Sequence, residues 1–84
     1  MTRGEYFRWA QTLKAGQKVR LIADEDELFG EENLGEIVEV RETDPADLSQ
    51  PIKIETPCGR VDWPIWGELE PVRLNLFYHQ PKLP

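Results

Sequence analysis

Eighty-four residues, 39% of them hydrophobic, make one domain: too short for two cores and too apolar for a disordered chain. The longest apolar runs are three or four residues, which excludes a membrane-spanning helix and gives the N-terminus no stretch of signal-peptide length. The single cysteine, Cys58, cannot form an internal disulfide and fits a reducing, cytoplasmic setting.

The net charge of −6 is unevenly placed. Residues 24–47 hold eleven acids against one base, Arg41, whereas residues 1–23 hold five bases and one acid. Such a face repels a phosphate backbone, which needs clustered Lys and Arg, and is complementary to a basic protein surface.

Residues 2–14 are expected to be helical. Thr2 and Glu5 have the spacing of a capping box. Tyr6, Trp9, Ala10 and Leu13 follow at i, i+3, i+4 and i+7, one helical stripe, and Gly16 is placed to stop it. Residues 17–23 alternate as a half-buried strand, Val19 and Leu21 on one side and Lys18 and Arg20 on the other. Residues 24–34 form an acidic loop in which Leu28 and Phe29 interrupt the charge; they either tuck back onto the core or form a small exposed anchor. Asp24 and Asp26 match the start of an EF-hand loop, but Leu28 and Gly35 stand at its third-carboxylate and closing-glutamate positions, so calcium is not expected.

Residues 35–42 read as a second strand, Val38 and Val40 inward, with Ile37 the odd member that marks a bulge or covers a second face. Residues 51–56 read as a third, Ile52 and Ile54 inward. The 57–59 turn carries Gly59 where a positive φ is needed, and residues 60–63 complete a hairpin. A tight turn through Pro64 leads to a fifth strand at 69–72. Residues 73–84 mix apolar and polar positions and suit an added strand beside the helix or a tail that docks on a partner.

The stretches Leu-Lys-Ala-Gly-Gln-Lys-Val-Arg-Leu-Ile (13–22), Gly-Glu-Ile-Val-Glu-Val (35–40), Ile-Lys-Ile-Glu-Thr (52–56), Gly-Arg-Val-Asp-Trp (59–63) and Glu-Leu-Glu-Pro-Val (68–72) together carry a resemblance. The set resembles SH3-like small β-barrels of the Tudor-like and KOW-like kinds. It is also similar to the small SH3-like accessory subunits of cyanobacterial and chloroplast electron-transport complexes. The resemblance implies a mainly β fold, a five-stranded SH3-like barrel with a short N-terminal α-helix. The helix and lead-in would occupy 1–16, the barrel 17–72 and a C-terminal extension 73–84. The Ala-Leu-Tyr-Asp-Tyr opening of SH3 signalling domains is missing, which argues against polyproline binding. The basic RNA-facing surface of KOW proteins is missing too.

No set of residues assembles a reaction centre. His79 is the only histidine and lies away from any acid in sequence; Cys58 has no evident base; one Cys and one His cannot build a zinc site. No cofactor and no metal are expected, and the chain reads as a non-enzyme. The aromatics are the best candidates. Trp63 and Trp66 bracket Pro64 and Ile65, and either plug the barrel mouth or join Phe29 in an exposed cleft for a peptide or, with a third aromatic, a methylated cation. The expected site therefore combines Trp63, Trp66 and Phe29 with Asp24, Glu25, Asp26 and Glu27. The expected function is that of a protein-interaction module or small accessory subunit, free or peripheral to a larger complex, meeting a partner with a basic surface. The alternative is a nucleic-acid-binding barrel using Lys14, Lys18, Arg20 and Lys53.

Overall fold

The structure, a computed structural model, describes residues 1–72. A helix α1 (Arg3–Ala10) is followed by strands β1 (Lys18–Leu21), β2 (Ile37–Thr43), β3 (Ile52–Glu55), β4 (Val61–Asp62) and β5 (Leu69–Pro71), with a single 3-10 turn at Glu31–Asn33. The strands form one antiparallel sheet in the order β4-β3-β2-β1-β5. The protein is thus mainly β with a short N-terminal helix, as expected. The sheet is open, with β4 and β5 at its margins, and hydrogen bonds do not close it into a barrel. Among the described residues, no helix is long and apolar enough to cross a membrane.

The helix starts as its sequence dictates. The Thr2 hydroxyl accepts from the Glu5 N–H, and the Glu5 carboxylate accepts from the Thr2 N–H at 2.7 Å. That hydrogen-bonding holds the Glu5 carboxyl below its usual range. The helix ends at Ala10, well before Gly16. The Thr12 hydroxyl and the Thr12 N–H both donate to the Trp9 carbonyl, which tightens the chain into a turn. The apolar stripe survives this shortening: Tyr6 and Ala10 are buried, and Trp9 and Leu13 pack against the same core.

One face of the sheet supplies the rest of that core. Val19 and Leu21, Val38 and Val40, Ile52 and Ile54, and Leu69 are all buried, which is the period of two along each strand made visible. The bulge lies at Arg41, between Val40 and Glu42, and not at Ile37. Ile37 stays half-buried on the outward side. The outer face carries a ladder of ion pairs: Lys18 with Glu39, Arg41 with Glu39 and Glu55, Lys53 with Glu42, and Arg20 with Glu70, at 3.2–3.8 Å. Each is solvated and contributes at most about 1 kcal/mol, yet together they neutralise that face.

The β3–β4 hairpin turns where expected. The Gly59 N–H donates to the Thr56 carbonyl and the Thr56 N–H to the Arg60 carbonyl, with Gly59 at φ +94°. β4 itself is only two residues long.

Candidate functional site

The acidic loop between β1 and β2 is not a free solvated arc. The Asp24 carboxylate accepts three backbone N–H groups across the loop, from Leu28 at 2.8 Å, Phe29 at 3.0 Å and Gly30 at 2.8 Å. Gly30 sits at φ +95°, a conformation that side-chain-bearing residues rarely adopt, so the sharp reversal favours glycine. The Asn33 side-chain amide donates to the Phe29 carbonyl at 2.6 Å. These bonds drive the Phe29 ring into the core, where it is fully buried.

Phe29 therefore does not line an exposed cleft. The two tryptophans expected beside it are also apart. Trp63 is half-buried in a shallow depression with Asp44, Asp47, Gln50 and Asp62. Trp66 packs edge-on against Tyr6, ring centroids 6.1 Å apart. Its face is taken by the chain's own cation: the Arg3 guanidinium lies 5.1 Å from the Trp66 ring centre and 5.7 Å from that of Phe7, and donates to the Leu48 carbonyl at 2.8 Å. An aromatic seat for a cation does exist, and Arg3 fills it. Arg3→Ala is expected to lower stability by about 1 kcal/mol through loss of the cation–π contact and the hydrogen bond. In thermal unfolding that is a Tm fall of about 4–8 °C. Arg3→Lys should recover only part of it, lacking the planar guanidinium.

Glu68 ties the loop to the turn before β5. It is buried, and its two oxygens accept from the Glu25 N–H at 2.7 Å and the Ile65 N–H at 3.0 Å. Burial pushes its carboxyl up, the two N–H donors pull it down, and nearby Asp24 and Asp26 push it up further. Of the four acids expected to meet a partner, Asp24 is thus spent on the loop's own backbone. Glu25, Asp26 and Glu27 are exposed, as are Glu31 and Glu32, and none of these five forms an ion pair among the described residues.

Glu25 borders an apolar depression of about 650 Å³ whose wall includes Ile22, Leu34, Ile65 and Trp66 together with Asp24 and Glu68. Ile22 and Leu34 are 45% and 40% exposed, high for such side chains. Ile22 had a readable signal: it follows Leu21 directly, so in a strand the two must face opposite ways and one must face water. Leu34 and Glu68 carried no such signal.

The Thr56 hydroxyl, and after it the Asn33 amide, hold the exposed Cys58 thiol below its usual range. No histidine lies among the described residues to act with it; His79 and the readings placed on 73–84 fall outside them. Compared with protein-family models, curated proteins and solved structures, the chain matches none.

Proposed function

We propose that this chain is a non-catalytic protein-interaction module or small accessory subunit of SH3-like build, whose acidic loop meets a basic partner surface. The strand order supports the build: a β2–β3–β4 meander with β5 returning beside β1 is the order of an SH3-like barrel. One observation carries the function. Five unpaired acids, Glu25, Asp26, Glu27, Glu31 and Glu32, lie on the same β1–β2 connection as exposed Ile22 and Leu34, while the outer face of the sheet has its charges matched in pairs. Uncompensated charge beside exposed apolar surface favours an oppositely charged partner. The same pairing speaks against nucleic acid. Lys18, Arg20 and Lys53, three of the four cations such a reading needs, are engaged by Glu39, Glu70 and Glu42.

The test is affinity capture from native lysate with two baits, the natural chain and the triple variant Glu25→Lys, Asp26→Lys, Glu27→Lys. Asp24 is left intact because it holds the loop together. Partners are expected on the natural bait, released as salt approaches about 1 M, where the screening length falls to about 3 Å. They should be lost on the charge-reversed bait. An identical, salt-insensitive set on both baits would refute the electrostatic reading.

A further inference from the structure

One buried polar group in the described residues has no partner. The Tyr6 side chain is almost wholly buried, and its hydroxyl makes no hydrogen bond. The hydroxyl oxygen faces the backbone N–H groups of Gly67 and Leu69 without reaching hydrogen-bond geometry with either, and burial pushes the phenol well above its ordinary range. Leu69 turns its N–H this way because the neighbouring rung is already made: the Ile22 N–H donates to the Glu68 carbonyl, so one residue on, Leu69 points away from β1. A small pocket of about 100 Å³ lies here, lined by Tyr6, Gly67, Leu69, Glu70 and Pro71 among others. Donors converge on it, and a buried donor left without an acceptor is costly.

This pocket adjoins the apolar depression. The two share Met1, Ile22 and Gly67, and the depression in turn shares Asp24 and Leu34 with a third hollow, walled by Glu27 and Glu31. No Lys or Arg lines any of the three. The depression and the third hollow combine into a groove with an apolar floor and an acidic rim, whereas the Tyr6 hydroxyl has almost no accessible surface and is closed off from it.

We propose that this groove binds an extended peptide segment of a partner protein that combines basic and apolar side chains. The inference rests on the interaction-module reading and names its site and partner chemistry. Apolar side chains of the peptide cover Ile22, Leu34 and Trp66, and its cations meet Glu25, Glu27 and Glu31.

The probe is a capped, fluorescein-labelled peptide of alternating lysine and leucine, titrated with the full chain and followed by anisotropy. Its counterpart of alternating glutamate and leucine is the control and should not bind. Tyr6→Phe removes an oxygen that a bound peptide does not reach and is a second control, expected to bind as the natural chain does. The double variant Ile22→Thr, Leu34→Ser changes two exposed side chains and should weaken binding about tenfold or more. If the double variant binds as the natural chain does while the loop reversal abolishes binding, the groove is refuted and the module reading stands. If the peptide fails to bind but the salt-sensitive captured proteins persist, the groove again fails alone; if neither is seen, both readings fail. Concentration-dependent self-association abolished by the double variant makes a second copy the occupant and overturns the peptide.

Discussion

Phe29→Ala is expected to lower the unfolding free energy by about 3–5 kcal/mol, the cost of removing a fully buried aromatic ring and leaving a cavity. A domain of this size has about 4–13 kcal/mol in all, so the variant is at the edge of folding. The effect is large because Phe29 is the loop's contribution to a core otherwise built from α1 and the sheet. Urea unfolding checks it: the midpoint should fall sharply with little change in slope. A loss under 1 kcal/mol would mean that the ring is not in the core.

Asp24→Ala is expected to cost about 2–4 kcal/mol, although the residue sits in an acidic loop and looks like surface charge. Its carboxylate satisfies three backbone N–H groups, and alanine leaves all three without an acceptor. Asp24→Asn should be intermediate. One oxygen serves Leu28 and the other serves Phe29 and Gly30, so an amide can keep only part of the set. Glu25→Ala, one position on, is the contrast: its side chain is exposed, and the bond to Glu68 is made by its backbone N–H. The double variant with Phe29→Ala should cost less than the two losses added. Asp24 acts largely by seating Phe29, and residues that act through one another are not additive. Comparison of the four urea midpoints measures that coupling directly.

The sheet was legible in the sequence because its core obeys a simple period. Val19 and Leu21, Val38 and Val40, and Ile52 and Ile54 each stand two apart, and all six are buried. The helix start was legible because a capping box is local, confined to Thr2 and Glu5. The site was less so, for physical reasons. Phe29 is drawn inward by a carboxylate reaching along an irregular loop, an interaction with no period to read. Trp66 is covered by Arg3, and the sequence separation between them hides the contact. The bulge at Arg41 ends the alternation, leaving Arg41 and Glu42 both exposed and both ion-paired, and two consecutive charged residues do not mark in the sequence where the extra residue falls. The exposed acids were correctly placed on the loop, but which of them is structural depended on where the carboxylate of Asp24 points.

The seam between β1 and β5 also orders the folding reaction. β3 and β4 meet across the 57–59 turn, and β2 and β3 across a modest loop, so their closure entropies are small. Val19 and Pro71 can pair only when nearly all the intervening chain has been gathered. Tyr6, whose hydroxyl faces the backbone of Gly67 and Leu69, cannot find its final seat until that pairing is made. The seam and the helix above it are therefore the last contacts to form and the first to part. They govern how fast the molecule opens, while the β2–β3–β4 meander governs how fast it forms.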